Sequence, residues 1–303
     1  MPLDVAREYF LTPLRYVIAR ELKNKSWSQR DIASALGVTQ AAVSKLLSSR
    51  KEMKLEILGI KDLEAELLSK RLLEYIEKGG HTAAATLTFR YWLLTAASGG
   101  ACELHRLEGW RVQGCFACTK AVYPRLSVRK GLSLADLERA VILAESSSHL
   151  AFIAPEVQIN IARAAKDAST PADVAAVPGR LARVGSRLVA KGRPAFGVSK
   201  HLSQVLLESG YSACIDVKFD PKVRESLKFL GIEWVEFSSN DYGGLNPAAK
   251  AVSELRRSGK MLNVAVDLGG HGIEPITYIF GSSAVEVVLC AERIARLAAT
   301  LTL

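Results

Sequence analysis

Residues 262–280 read LNVAVDLGGHGIEPITYIF, and this stretch is typical of two buried strands joined by a loop. Two short apolar runs, 262–267 and 276–280, flank a segment rich in glycine. Runs of this length bounded by Gly and Pro are typical of buried β-strands. A glycine-dense loop directly after a strand lets backbone amides approach an anion closely, although the same glycines also suit a tight structural turn.

Similar apolar runs alternate with helical patterns from residue 133 onward. Ser133 and Asp136 predict a capping box that opens the first of these helices. The further strand candidates are 157–161, 180–184, 213–217 and 232–237, and the helix candidates are 200–209, 222–230, 247–258 and 284–299. This alternation predicts a C-terminal α/β domain, 131–303, with a mainly parallel sheet flanked by helices.

The composition bounds the class of protein. A chain of 303 residues, 49% apolar and 23% charged, predicts about two folded domains rather than disorder. The net charge of +9, with basic residues concentrated in 1–54 and 160–203, predicts anionic partners. No run reaches the ~18 apolar residues of a membrane span, and the N-terminus lacks a signal-peptide layout. We therefore expect a cytoplasmic protein with no membrane partner.

The first 79 residues have helical periodicity and predict an α-helical domain. Within it, WSQRDIASALGVTQAAVSKLL (27–47) predicts two helices joined by a tight turn at Gly37, with Ser28 and Thr39 as caps. The segment resembles the helix-turn-helix of phage-repressor regulators, and the alternative is an ordinary helical hairpin. The candidate DNA contacts are Ser28, Gln29, Thr39, Gln40, Ala41, Ser44, Lys45 and Arg50. A double-stranded DNA operator read by a homodimer is the predicted assembly.

Residues 80–130 predict a helical linker that carries pairs of cysteine and histidine. Cys102-x2-His105 and Cys115-x2-Cys118 have the spacing of paired ligands to a tetrahedral zinc ion. The pattern therefore predicts a structural zinc site between the two halves of the chain. The alternatives are a Cys115–Cys118 redox pair or free thiols with an unconnected histidine.

Three segments of the α/β domain have the character of a ligand site: 155–160, 194–202 and 267–275. Ligands of open α/β sheets bind where strands end, and a helix beginning after Ser199 offers free amides to a phosphate. The segments contain neither a P-loop ending nor the dinucleotide GxGxxG pattern. The candidate ligand-binding residues are Glu156, Asn160, Phe196, Gly197, Ser199, Lys200, His201, Asp216, Asp267, Gly269, Gly270, Gly272 and Glu274.

The motifs of this domain occur in a recognisable order. They are PEVQIN (155–160), PGR (178–180), FGVSKH (196–201), DLGGHGIEP (267–275) and AVEVV (284–288). Their order resembles the archaeal thiamine-phosphate synthase domain, ThiN, over about residues 135–303. The resemblance implies recognition of thiamine phosphate or thiamine pyrophosphate. In the enzymes this domain is fused to a hydroxymethylpyrimidine kinase, whereas here it follows the predicted helix-turn-helix. That order resembles archaeal transcriptional regulators of thiamine biosynthesis.

The predicted function is therefore a DNA-binding repressor of thiamine biosynthesis genes, with a thiamine phosphate ester as effector. The resemblance implies that the enzymes need an Arg and a His near the ends of two late strands. The matching stretches, 236–240 and 265–268, contain neither residue, so the domain is predicted not to be catalytic. The alternatives are a thiamine-phosphate synthase with an attached DNA-binding domain, and a DNA-binding protein whose α/β domain only dimerises.

Overall fold

The computed structural model describes residues 5–48, 55–107, 109, 114–270 and 272–301. The chain divides into two compact units, Met1–Arg125 and Leu126–Leu303. No described helix is both long enough and apolar enough to cross a membrane. The three-part division into 1–79, 80–130 and 131–303 stays a prediction.

The described residues of the N-terminal unit form helices, as the periodicity predicts. After a π-helical stretch, Ala6–Leu11, they are α1 (Thr12–Asn24), α2 (Gln29–Leu36), α3 (Gln40–Ser48), α4 (Asp62–Glu77), α5 (His81–Ala97), α6 (Gly100–Leu107) and α7 (Ala117–Val122), with a 3-10 turn at Leu55–Leu58. Aromatic rings form part of the core, where the fully buried Phe10 packs against Tyr91 and Trp92.

Local capping fixes α2 and α3. The Ser28 hydroxyl accepts the N–H of Asp31 at 3.1 Å, and the Thr39 hydroxyl accepts that of Ala42 at 3.2 Å. Gly37 ends α2 with a φ of 62°, a conformation that glycine adopts without steric cost. The predicted outer face of α3 is exposed at Gln40, Ala41, Ser44 and Lys45, and Gln29 on α2 is half-buried. The predicted contact Arg50 lies outside the described residues.

The C-terminal unit is an α/β domain, as predicted. Its helices are α8 (Val128–Ser146), α9 (Lys200–Ser209), α10 (Pro221–Phe229), α11 (Pro247–Arg257) and α12 (Ala284–Thr300). Its strands are β1 (Ile161–Ala164), β2 (Val174–Ala176), β3 (Leu181–Val184), β4 (Arg187–Ala190), β5 (Ala195–Phe196), β6 (Ala213–Lys218), β7 (Val235–Phe237), β8 (Val264–Asp267) and β9 (Ile276–Gly281). Short 3-10 turns lie at Leu150–Ile153, Pro171–Asp173 and Ser239–Asp241.

The sheet is mixed and mostly antiparallel, so the prediction of a mainly parallel sheet is wrong. Seven strands pair in the order β5-β2-β1-β6-β9-β8-β7, and β3 and β4 form a separate hairpin. Within the described residues, β7–β8 is parallel and the other five pairings of the large sheet are antiparallel. Parallel neighbours require a long crossover, usually a helix. The described residues of the loop 268–275 between β8 and β9 form no helix, so the chain returns antiparallel.

Helices cover both faces of the large sheet. The helices α9 and α11 pack together over one face and bury Leu202, Leu206, Ala251 and Val252 there. The helices α8, α10 and α12 cover the other face. The result is a three-layer α/β/α domain with β6 at the centre of its sheet.

The predicted capping box of Ser133 and Asp136 is wrong, because α8 begins five residues earlier, after the cap residue Ser127. Both side chains are buried and bind other elements instead. The Ser133 hydroxyl donates to the carbonyl oxygen of Ala164 at 3.1 Å. Asp136 accepts from Arg163 Nε at 2.8 Å and from the N–H of Ala284 at 2.7 Å, which fixes the start of α12.

Candidate functional site

Polar side chains gather at one end of the large sheet. Because β6 and β8 run antiparallel to β9, their ends meet the beginning of β9 there. Asp216 on β6 lies opposite Tyr278 on β9, and Asp267 ends β8. The first turn of α9 adds His201, whose Nε2 lies 3.0 Å from the hydroxyl oxygen of Tyr278. Residues from four elements therefore form one cluster.

Arg180 pairs with Asp216 and also contacts the turn at 155–158. Its Nη1 lies 2.9 Å from Asp216 Oδ2 and 3.0 Å from the carbonyl oxygen of Gln158, to which it donates. Arg180 and Gln158 both have positive φ angles, 67° and 72°. This conformation costs a residue other than glycine about 1–3 kcal/mol. Contacts from the rest of the domain therefore hold the pair in place against the local preference of the backbone.

Asp216 is a buried carboxylate, 3% exposed. It accepts the backbone N–H of Asn160 in addition to the guanidinium of Arg180. Burial raises the pKa of Asp216 to about 6, although Arg180 and the Asn160 N–H act in the opposite direction. Near pH 7 the carboxylate is ionised and forms an ion pair with Arg180.

The raised pKa of Asp216 predicts a pH-dependent stability. The folded state binds a proton up to about pH 6, whereas an unfolded aspartate releases it near pH 3.9. The contribution of Asp216 to the free energy of unfolding is therefore fully present below about pH 4. It falls by roughly 2–3 kcal/mol as the pH rises through 6. Asp216→Asn should remove this pH-dependent contribution. Between pH 4 and 7 the free energy of urea unfolding should therefore fall in the wild type but not in the variant. A difference that does not change with pH would contradict the prediction.

The cluster keeps His201 neutral and Tyr278 protonated at pH 7. Burial lowers the pKa of His201, Arg180 lowers it further, and Asp267 raises it. Burial raises the pKa of Tyr278 well above its usual range, and the charges of Asp216 and Asp267 add to this. The Tyr278 hydroxyl is thus able to donate to Nε2 of a neutral imidazole.

Hydrogen bonds within the domain hold the glycine-rich loop in place. Asp267 Oδ1 accepts the N–H groups of Ser239 and Gly269, each at 3.0 Å. Gly270 and Ile273 exchange backbone hydrogen bonds of 3.0 and 3.1 Å that close the tip of the loop. The N–H groups of Gly269 and Gly270 therefore donate to Asp267 and to Ile273. Gly272 is exposed at the tip, with a φ of 75°.

Asn240 packs directly against this loop. A Cβ atom added at Gly270 would lie 1.4 Å from Asn240 Nδ2, so a side chain there would displace Asn240. The same Nδ2 donates to the carbonyl oxygen of Gly269 at 3.3 Å. The turn after β7 and the turn after β8 are consequently joined through both Asp267 and Asn240.

Glu274 joins the same loop to the turn at 155–158. Its Oε2 accepts the N–H of Glu156 at 3.0 Å, and its Oε1 accepts the N–H of Val157 at 2.9 Å. Asn160 has a comparable backbone role, because its Oδ1 accepts the N–H of Ile161 at 2.9 Å. The structure therefore shows the predicted ligand carboxylate Glu274 with both oxygens bound to backbone.

The segment 194–202 reaches the cluster through His201. Phe196 lies half-buried in β5, with Lys130 Nζ 5.0 Å from its ring centre, and Gly197 is exposed beside it. Ser199 precedes α9 but makes no side-chain cap hydrogen bond, contrary to the predicted cap. The first turn of α9 begins with the exposed residue Lys200.

Three residues at this end of the sheet were not among the candidate ligand-binding residues: Arg180 and Tyr278 in the cluster, and Asn240 beside the glycine-rich loop. Arg180 stands in the PGR motif at 178–180, which contributed only to the family resemblance. Tyr278 lies in an apolar strand, where a tyrosine usually belongs to the core. Its distinguishing feature, a hydroxyl next to His201, arises only when α9 packs on β9.

The predicted zinc ligands do not form a metal centre. Cys102 and His105 lie one turn apart in α6, whereas Cys115 precedes α7 and Cys118 lies within it. Burial raises the pKa of the Cys102 and Cys118 thiols. The nearby Cys115 raises both further, and Cys102 also raises that of Cys118, so the three thiols are neighbours. Among the described residues, however, no three His, Cys, Asp or Glu side chains are grouped to hold a metal ion. The zinc prediction is therefore not supported, although three of its four predicted ligands are neighbours.

The fold and the cluster define the C-terminal unit as an α/β/α domain with an arginine–carboxylate site at one end of its sheet. The pattern of the family described as "Thiamine-phosphate synthase ThiN" matches residues 136–293, more than half of the chain. The chain therefore belongs to this family.

Two relatives and one solved structure resemble the same region. Thiamine-phosphate synthase ThiN of Methanothermobacter thermautotrophicus is 27% identical over 177 residues, which are 54% of this chain and 93% of that protein. Bifunctional thiamine biosynthesis protein ThiDN of Methanocaldococcus jannaschii is 28% identical over 159 residues, 48% of this chain and 37% of that protein. The crystal structure of the C-terminal domain of protein MJ0236 has a TM-score of 0.52 at 24% identity, over 56% of this chain and 97% of its own. That likeness shows the fold alone.

These comparisons correct the predicted function. The matching family and both relatives are named as thiamine biosynthesis proteins, and the family is one of enzymes. The predictions of a DNA-binding transcriptional repressor and of a domain without catalysis are therefore wrong. Residues 236–240 and 265–268 contain neither Arg nor His, but the structure brings Arg180 and His201 to the cluster from earlier segments.

Proposed function

We propose that this chain is a thiamine-phosphate synthase, which joins a pyrimidine pyrophosphate to a thiazole phosphate and releases pyrophosphate. The observation that carries the proposal is the cluster of Arg180, Asp216, His201 and Tyr278 at the sheet end, inside the region that matches the family. This activity was the alternative reading of the sequence, and the family's name favours it.

The chemistry of this reaction requires positive charge at the leaving group. A bond forms between the thiazole nitrogen and the methylene carbon of the pyrimidine as the bond from that carbon to the pyrophosphate oxygen breaks. The electron pair of the broken bond leaves with pyrophosphate, so negative charge grows there in the transition state. Groups placed in advance to meet such charge usually contribute the largest catalytic effect.

Arg180 is the group that we assign to the leaving pyrophosphate. Its guanidinium is a planar cation that presents several donors in a fixed arrangement. One nitrogen is fixed by Asp216 and Gln158, and the side chain keeps 27% of its surface exposed. The remaining donors are therefore oriented in advance for phosphate oxygens.

The start of α9 supplies a second contact for phosphate. The first-turn amides of a helix attract anions, and Ser199 provides no side-chain acceptor for them. Lys200 adds a positive charge, and a neutral His201 that accepts from Tyr278 offers its other ring nitrogen as a donor. Glu156, Phe196, Gly197 and Gly272 remain predicted contacts to the rest of the substrates.

A direct assay tests the proposal. Wild-type chain mixed with both substrates is expected to release pyrophosphate and form thiamine phosphate in equal amounts, with kcat on the order of 1–10 s⁻¹. Omitting the thiazole phosphate is the control and should abolish the release of pyrophosphate. Tight calorimetric binding of thiamine phosphate without any turnover would contradict the proposed activity.

A further inference from the structure

We propose that Glu274 is a positioning residue that keeps the Arg180 side chain in place through the turn at 155–158, a role that rests on the proposed synthase function. The sequence suggested instead that this carboxylate meets the aminopyrimidine. The two roles can be separated by experiment. A substitution at Glu274 should weaken pyrophosphate binding if the residue positions Arg180, and should weaken binding of the pyrimidine ring if it contacts that ring.

The first step of the argument is the bidentate contact. Glu274 stands near the end of the glycine-rich loop, and its two oxygens accept the consecutive N–H groups of Glu156 and Val157 at 3.0 and 2.9 Å. Glu274 lies more than a hundred positions after Glu156 and Val157 in the chain. The carboxylate is half-buried, and charge-assisted hydrogen bonds of this kind are stronger than neutral ones, so Glu274 holds the backbone of the turn in place.

The second step connects the turn to Arg180. The Gln158 N–H closes the turn on the Pro155 carbonyl oxygen at 2.9 Å. The Gln158 carbonyl oxygen then accepts from Arg180 Nη1 at 3.0 Å, and its side-chain Oε1 accepts the N–H of Arg183 at 2.9 Å. A shift of this turn would therefore move the acceptor that orients the Arg180 guanidinium.

The third step concerns the other end of the contact. The residue after Glu274, Pro275, offers its carbonyl oxygen to the N–H of Phe219 at 2.9 Å, just beyond β6. The loop is also closed at its tip by the Gly270–Ile273 pair. Glu274 thus projects from an anchored position, so it can hold the turn rather than follow it.

The test measures inorganic pyrophosphate, which contains no pyrimidine ring. In Glu274→Gln the new amide would place N–H donors against one of the two turn N–H groups, and the turn should move. We expect the calorimetric Kd of pyrophosphate to rise about tenfold and kcat/KM to fall by roughly 10- to 100-fold, since small displacements of positioning groups have effects of this size. The KM of the thiazole phosphate should change less than the KM of the pyrimidine pyrophosphate.

Two further variants complete the experiment. Glu274→Asp keeps the charge but is one methylene shorter, so it can reach only one N–H and should weaken pyrophosphate binding as well. Glu236→Gln is the matched control, because this carboxylate on β7 pairs with Arg224 at an exposed position. Thermal unfolding of each variant sets a measurement temperature at which all of them are folded.

The outcomes separate the two proposals. If both Glu274 variants bind pyrophosphate like the wild type while the KM of the pyrimidine substrate rises, Glu274 contacts the pyrimidine and the positioning role is wrong. A wild-type chain that does not bind pyrophosphate would also overturn the inference. A wild-type chain that binds pyrophosphate but forms no thiamine phosphate would overturn the synthase function instead, because the binding measurement needs no turnover.

Discussion

Replacing Arg180 by alanine is expected to lower kcat for pyrophosphate release by about 10²- to 10³-fold. The guanidinium is the cation that we place against the leaving group. Arg180→Lys keeps the charge but loses the planar fork that binds phosphate oxygens and Asp216 together, so it should recover only part of the rate. Steady-state kinetics of the three proteins with both substrates measure the effect.

The same substitution also affects folding, and a double variant separates the two effects. Arg180→Ala leaves the buried Asp216 without its partner, and breaking a buried pair costs about 3–5 kcal/mol. The exposed part of Arg180 places the loss at the low end of that range. Adding Asp216→Asn removes the unpaired charge and should restore stability without restoring turnover. Full activity in the double variant would show that Arg180 acts only in folding.

An exposed ion pair supplies the control for Arg180. Arg224 contacts Glu236 at 3.2 Å, with 44% and 38% of the two side chains exposed. Pairs of this kind contribute about 0–1 kcal/mol. Arg224→Ala should therefore leave both kcat and the unfolding midpoint close to those of the wild type.

Gly269→Ala should disrupt the glycine-rich loop. The backbone there has a φ of 69°, and an added Cβ would lie 2.4 Å from the carbonyl oxygen of Ile273 and 3.0 Å from the backbone nitrogen of Pro275. These atoms belong to the backbone and cannot rotate away as a side chain could. We expect a loss of about 3 kcal/mol or more in unfolding free energy, or a displaced loop with a roughly 10²-fold lower kcat/KM.

Gly272→Ala is the matched control in the same loop. Its φ of 75° is also left-handed, but no described atom other than those of its chain neighbours lies within 4 Å of the added Cβ. The variant therefore isolates the conformational cost, about 1–2 kcal/mol for an L-residue. Urea unfolding compares the two variants. Equal effects would mean that the left-handed backbone, and not the contact with Ile273, limits position 269.

Local patterns determined much about this protein from its sequence. The helical character of the first half and the α/β character of the second follow from hydrophobic periodicity, which acts over a few residues. The caps at Ser28 and Thr39 and the turn at Gly37 are equally local, because each involves hydrogen bonds within three or four residues. The motif order from 155 to 288 pointed to the right family, because it needed no knowledge of strand pairing.

Tertiary structure decided the rest. Periodicity shows that β8 and β9 are strands, but the direction in which they pair follows from the helix-free loop between them and from the neighbours that the sheet provides. Arg180, His201, Asp216 and Tyr278 lie in four segments spread over about a hundred residues. Strand pairing and the Arg180–Asp216 contact bring three of them together, and the packing of α9 on the sheet adds His201. The same packing buries Asp216 and raises its pKa, because desolvation depends on what surrounds a side chain in space.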